Sequence, residues 1–293
     1  MIPAAFDYHR AGTVQEAIDL LKQHGDGAKL LAGGHSLLPV LKLRLSEPDH
    51  LIDIGGIAAL RGVQRDGDTL RIGALTTHHA IERDALLREH CPLLAETAAQ
   101  VGDRQVRNRG TIGGALAHAD AAADYPAAIL ALDAEMVAHG PNGERTIAAA
   151  DFFVAFLTSA LEPDEVLTEI RVPVAAANTG ACYQKLANQA SGYAIVGVAA
   201  IVTLNGNAGN SGEVRVGITG TGERAVRAPA VEQALAGGAL DEAAIRSASE
   251  RAGEGIDPLD DLHAGADYRL GVTRGLTRRA LLTAVERARG GKQ

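Results

Sequence analysis

Leu30-Leu-Ala-Gly-Gly-His-Ser-Leu-Leu-Pro-Val-Leu-Lys-Leu-Arg44 holds the densest information in the chain. Ala28 to Ala32 reads as a short buried strand that runs into Gly33-Gly34, a hydroxyl at Ser36 and an apolar run. Two glycines at a strand end let backbone N–H groups approach a ligand closely. A concave nest of such donors cradles an anion, and hydrogen bonds to a charged group contribute about 1.5–3 kcal/mol each. A few of them hold a pyrophosphate. The plainer reading is a strand-to-helix turn in which Gly supplies φ > 0. A third reading is hydrolytic. Gly34-His35-Ser36 half matches the G-x-S-x-G nucleophile elbow, but Leu38 stands where that tight turn needs its last glycine.

Thr111-Ile-Gly113-Gly114 repeats the hydroxyl-plus-Gly-Gly chemistry, with His118, Asp120 and Asp124 behind it. Two such turns in one chain suggest two walls of one anion site. The plainer reading makes Asp120 a surface acid and Asp124 a helix cap or first-turn acid. Gly220-Thr-Gly222-Glu-Arg-Ala225 fits a dinucleotide fingerprint, but no second parallel strand follows to complete the βαβ unit. It reads as a strand-end turn. Arg104, Arg107 and Arg109 form a basic stretch that is either solvated or near a phosphate. His78-His79 point different ways on a helix, and no metal-ligand spacing stands out.

Around these motifs the chain divides into three. Residues 1–56 form a small α/β unit: Thr13-Val-Gln-Glu16 is a capping box, Val14, Ala17, Ile18 and Leu21 share a helical face, and His50 to Ile54 is a strand. Residues 57–175 carry hairpins around Asp66-Gly67 and Asn142-Gly143. They also hold helices from Thr76 or Thr77 to about His90, from Pro92 to about Val101 and from Asp124 to Leu132, and a strand from Val166 ending at Pro173. In residues 176–293, strands at Ala181–Leu186, Ala194–Leu204 and Glu213–Thr219 precede helices at Pro229–Leu235, Asp241–Ala252 and Ala266–Arg289. Strands followed by helices without alternation argue α+β.

The 293 residues suffice for two medium domains. A net charge of −8 gives no electrostatic footprint for nucleic acid. Two cysteines, Cys91 and Cys182, exclude a disulfide scaffold and a self-contained iron–sulfur cluster, which needs four ligands. The longest apolar run, Ala194 to Leu204, is too short to span a bilayer, and the N-terminus has no apolar signal region. A soluble cytoplasmic protein is expected. The chain has 34 glycines, far above the usual ~7%, but only nine aromatic residues (four Phe, five Tyr, no Trp). The core is therefore built from Ala, Leu, Val and Ile.

The stretch Leu30 to Arg44 resembles the flavoprotein (medium) subunits of aerobic carbon monoxide dehydrogenase-type molybdenum hydroxylases, of the xanthine oxidase family. Gln105-Val-Arg-Asn-Arg-Gly-Thr-Ile-Gly-Gly114 is similar to their second flavin loop. The resemblance runs the whole chain, through Pro3, Phe6 and Tyr8, Ile170-Arg-Val-Pro173, Tyr183-Gln-Lys-Leu186 and Ala266-Asp-Tyr-Arg269. It implies an FAD-binding fold of the vanillyl-alcohol-oxidase type in two subdomains, then an antiparallel sheet with a helical bundle. It implies FAD held by Ala32, Gly33, Gly34, His35, Ser36 and Leu37 and by Thr111, Gly113, Gly114 and His118. It further implies Asp124 at the ribityl or adenosine part, Leu161 lining the flavin, Lys185 at the isoalloxazine's polar edge and Tyr193 over a ring face. It supplies no catalytic acid–base pair, since the cofactor carries the chemistry. It implies a 2Fe–2S small subunit and a molybdopterin large subunit as partners, and an external electron acceptor. Ala115 and Ala121–Ala123 depart from the polar residues relatives often carry. A non-catalytic scaffold of the same fold, or a hydrolase using Ser36, are the rival readings.

Overall fold

The computed structural model describes residues 1–205 and 210–291. In the first unit β1 (Asp7–Arg10) leads through α1 (Val14–His24) to β2 (Ala28–Leu31), and α2 (Leu37–Lys42) leads on to β3 (His50–Asp53). The sheet order is β1-β3-β2, with both pairings parallel. Parallel neighbours need crossover connections, and the helix-forming stretches provide them. Ala17, Ile18 and Leu21 of α1 are buried against Ile52 and Ile54. Thr13 caps α1 by accepting from the Glu16 amide (3.1 Å), while Glu16 Oε2 accepts from the Gly12 amide (2.8 Å). The capping box thus closes one residue before the cap.

The second unit begins with the hairpin β4 (Val63–Asp66) and β5 (Thr69–Gly73). Helices follow: α3 (His78–Arg83), α4 (Ala85–His90), α5 (Pro92–Ala99), α6 (Arg104–Arg109), α7 (Ile112–His118) and α8 (Tyr125–Ala131). Then come β6 (Glu135–Gly140), β7 (Gly143–Ala148), α9 (Ala149–Phe152), a small ribbon of β8 (Phe153–Ala155) and β9 (Thr158–Ser159), and β10 (Val166–Pro173). The main sheet runs β4-β5-β10-β6-β7 and is antiparallel. The helix expected from Thr77 to His90 is broken at Asp84, whose extended backbone (ψ 129) ends α3. Its side chain caps α4 through the Leu87 amide at 3.0 Å. The polar stretch before Gly110 is helical, because Asp103 caps it through the Val106 amide at 2.8 Å.

The third unit is a four-stranded antiparallel sheet of β11 (Thr179–Ala187), β12 (Ala194–Leu204), β13 (Ser211–Thr219) and β14 (Val226–Arg227). It is followed by α10 (Pro229–Leu235), α11 (Glu242–Ser249) and α12 (Ala266–Ala288). The apolar run of β12 reflects burial on both faces. Val196, Val198, Ala200 and Val202 face a core shared with α10, α11 and α12. Ala199 and Ile201 face the core of the second unit, where every residue of α8 is buried. The pleat sends alternate residues to opposite faces, so a strand sandwiched between helical layers shows no polar alternation. No helix among the described residues is long and apolar enough to cross a membrane.

Candidate functional site

A cleft of about 540 Å³ opens where the three units meet, within the ordinary size range of ligand sites. Its first wall is the turn after β2. Gly34 has φ +80, a conformation L side chains rarely adopt, and Leu38 N–H closes the turn on Gly34 O at 2.9 Å to start α2. Among the described residues, the amides of Gly33, Gly34, His35, Ser36 and Leu37 have no protein acceptor. Backbone donors away from solvent are almost always paired, so five consecutive amides without a protein acceptor along the cleft wall form a cradle suited to an anion.

The second Gly-Gly pair differs from the turn expected of it. Gly113 and Gly114 lie in the first turn of α7, capped by Thr111, whose Oγ1 accepts from the Gly114 amide at 3.2 Å. Gly113 N–H donates to Ala74 O at 2.8 Å, Ile112 N–H to Thr76 O at 3.1 Å and Ala115 N–H to Thr111 O at 3.0 Å. These amides are taken. The glycines serve close packing instead: a Cβ on Gly113 would lie 2.5 Å from Ala74 Cβ. The two motifs nevertheless meet, since a Cβ on Gly33 would fall 2.2 Å from Arg109 O and 2.8 Å from Gly110 Cα. They are two sides of one site, but only the first is a nest of donors.

Ala32 to Leu37, Thr111, Gly113, Gly114, His118, Asp124, Leu161 and Tyr193 all line the cleft. Tyr193 reaches across from the third unit to stand beside the Ser36 hydroxyl, and burial holds its phenol above the ordinary tyrosine range against the pull of Ser36. Asp124 is buried, and its Oδ1 accepts from Tyr183 Oη at 2.6 Å. Burial pushes the Asp124 carboxyl above the usual carboxylate range, against the pull of Lys185 and Tyr183. Lys185 corrects the sequence expectation. Its ammonium does not line the cleft but lies behind Asp124, 2.8 Å from Oδ1, with Gln100 O at 3.0 Å and Gly192 O at 2.6 Å taking its other protons. Its side chain is only 3% exposed, so its charge is paired with Asp124.

The alanines at 121–123 are held by backbone, not side chain: Thr219 Oγ1 donates to Ala121 O and Ala123 O, and Ala194 N–H donates to Ala122 O. Sequence reasoning missed His78. It lines the cleft and is buried, with Nδ1 3.2 Å from Tyr125 Oη, and burial drives its pKa down to about 4. It backs the second loop closely, since a Cβ on Gly110 would meet His78 Nε2 at 2.5 Å. The adjacent His78-His79 pair was the available signal. Arg107 is structural: it pairs with Glu82 at 3.0 Å and donates to the carbonyls of Val101 and Gly102. Ser36 has ordinary right-handed helical angles (φ −98, ψ −49), and among the described residues no histidine hydrogen-bonds it, so a nucleophile elbow is not formed. Gly220 ends a strand of an antiparallel sheet, where its carbonyl accepts from the buried Arg269 at 2.7 Å. No βαβ unit exists there.

A fold with an amide nest between subdomains defines a class of cofactor-binding proteins, and comparison with known proteins places the chain within it. Residues 4–175 match the FAD binding domain in molybdopterin dehydrogenase, and residues 181–284 match the CO dehydrogenase flavoprotein C-terminal domain. The carbon monoxide dehydrogenase medium chain of Hydrogenophaga pseudoflava is 42% identical over 97% of this chain and 98% of its own. Subunit alpha of the 6-hydroxypseudooxynicotine dehydrogenase complex of Paenarthrobacter nicotinovorans is 39% identical over 100% of this chain and 99% of its own. A solved carbon monoxide dehydrogenase from H. pseudoflava, described as lacking the Mo-pyranopterin moiety of its molybdenum cofactor, superposes with a TM-score of 0.95 at 44% identity. That match covers 98% of this chain and 99% of the other. The chain belongs to the FAD-binding medium subunits of the molybdenum hydroxylase family, and it is an FAD-containing oxidoreductase subunit.

Proposed function

We propose that FAD lies in the cleft with its pyrophosphate on the amides of Gly33 to Leu37, and that the chain relays electrons within a larger molybdenum hydroxylase. The observation that carries the placement is the run of five unpaired amides at the end of β2. They fit a doubly charged phosphate linkage without any side-chain cation. Thr111 and His118 would flank the cofactor from α7, Leu161 would give it an apolar wall, and Asp124 would accept from a hydroxyl of its ribityl or ribose part. Tyr193, one of few aromatic residues in the cleft, would cover a ring face and limit access of water. Lys185 would keep Asp124 ionised in a dry setting, where an unpaired carboxylate is costly. The bound flavin supplies the ability to accept electrons and pass them on; the protein supplies position and electrostatics.

The full-length matches support a medium-subunit role beside a 2Fe–2S small subunit and a molybdopterin large subunit. In this reading electrons arrive singly from the clusters and leave to an external acceptor. The two cysteines of this chain are buried and free, which leaves the clusters to a partner. Relatives named for carbon monoxide, a hydroxylated nicotine derivative and caffeine match this chain over nearly its whole length. Substrate choice therefore rests with the partner that holds the molybdenum cofactor, and carbon monoxide, aldehydes and N-heteroaromatics form the substrate class. The working division is 1–56 and 57–175 for the two FAD-binding subdomains and 176–293 for the C-terminal domain, supported by one main sheet in each. The setting is the cytoplasm.

The test is the purified chain itself. The proposal expects a yellow protein that releases one FAD on denaturation and loses it in Gly33→Val while the far-ultraviolet spectrum is kept. A colourless protein that cannot be reconstituted with FAD would support a bare scaffold, and ester hydrolysis lost in Ser36→Ala would support a hydrolase.

A further inference from the structure

We propose that His9, His24 and His50, none of which lines the cofactor cleft, form a binding site for one divalent transition-metal ion of the zinc class. The three lie far apart in sequence and are brought together by the first unit's topology. His50 opens β3 and pairs in register with Asp7 of β1, placing His9 two residues further along the same face. His24 is the last residue of α1 and continues the buried stripe of Ala17 and Leu21 at helical spacing. The fold thus sets two imidazoles on the sheet beneath the C-terminus of the helix that carries the third.

One ring nitrogen from each of the three lies within 4.8 Å of the others. His9 Nε2 and His50 Nδ1 are 3.2 Å apart, and the ring centroids of His24 and His50 are 3.7 Å apart. Two nitrogens on one tetrahedral zinc at about 2.0–2.1 Å each stand roughly 3.4 Å apart, so the first pair already has the required spacing, and His24, stacked on His50, must turn its ring to bring a nitrogen onto the same ion. The second observation is an orphan. His24 Nε2 is shut off from solvent and has no hydrogen-bond partner. A buried nitrogen lone pair without a donor is uncompensated, and a metal ion is the partner that satisfies all three rings at once. Asp7 Oδ2, 3.8 Å from His50 Nδ1, supplies negative charge at the rim, and the helix C-terminus adds its partial negative end. Three imidazoles suit zinc, copper or nickel rather than magnesium or calcium.

Such an ion would pin β1, α1 and β3 together just upstream of β2. The test uses the untagged FAD-loaded chain, stripped with a chelator and then dialysed against equimolar Zn²⁺. One zinc per chain is expected by elemental analysis, with a raised thermal midpoint. His24→Gln and, separately, His9→Gln are expected to lose the zinc and the thermal gain while retaining one FAD each, which shows that they fold. Cu²⁺ in place of Zn²⁺ is expected to show coupling to three imidazole nitrogens by electron paramagnetic resonance. A wild-type chain that takes up no zinc, or variants that bind as much as wild type, would overturn the site.

Discussion

The two glycine pairs look alike in sequence and do opposite work. Gly33-Gly34 ends a strand and leaves five amides unpaired toward the cleft, whereas Gly113-Gly114 starts a helix whose amides are already held by Ala74 O and Thr111 Oγ1. The first pair is a donor nest and the second a close-packing joint against which the nest is seated, as the 2.2 Å approach of a Gly33 Cβ to Arg109 O shows. Repetition of a motif therefore does not establish repetition of a role. What separates the two is where each N–H goes.

Substitutions can break this contrast or sharpen it. Gly34→Val is expected to have the largest effect. A β-branched residue is strained at φ +80, so the nest must reshape. Losing even two hydrogen bonds to a charged phosphate at about 1.5 kcal/mol each weakens FAD binding at least about a hundredfold. Fluorescence titration of the apo chain measures it, and an affinity within tenfold of wild type would remove the nest from the account. His78, which backs the second loop, should instead report on stability. With its pKa near 4 when folded against an ordinary 6.5, the unfolded chain binds more protons between those values. Folding free energy then rises with pH across roughly 4 to 6.5, by up to about 3 kcal/mol, and is fully present above 6.5. Thermal midpoints of wild type and His78→Gln over that range should converge as pH falls, and parallel curves would contradict the assignment.

Gly113→Ala forces a Cβ to 2.5 Å from Ala74 Cβ. Overpacking of this kind costs about 1–3 kcal/mol and should lower apo and FAD-bound midpoints alike, with FAD affinity changed less than tenfold. A hundredfold loss would make the second loop a cradle as well. Thr111→Ala has the smallest expected effect, about 1 kcal/mol for a lost cap, read by denaturant unfolding of the apo chain.

Residues whose surroundings are local were the readable ones. Thr13 and Glu16 announce α1, Asp66-Gly67 announces a hairpin, and Ala28 to Ser36 announces a strand opening into a nest. The burial of Lys185 was not legible, because its three acceptors come from Gln100, Gly192 and Asp124 and no spacing in the chain reveals them. Helix α6 escaped notice because it carries no buried residue and thus no apolar period. The His9, His24 and His50 group escaped notice because a parallel sheet and a crossover helix assemble it. The second glycine pair was half readable: its place in the cleft wall beside the first pair was legible, but its hydrogen bonding depended on Ala74, a partner distant in sequence.

Amide hydrogen exchange with and without FAD tests the central contrast most directly. The amides of Gly33 to Leu37 are expected to exchange fast in the apo chain and slow markedly when FAD binds, while Gly113 and Gly114 are already slow without it. Exchange at Gly33 to Leu37 that FAD leaves unchanged, or protection by FAD appearing first at Gly113 and Gly114, would contradict it.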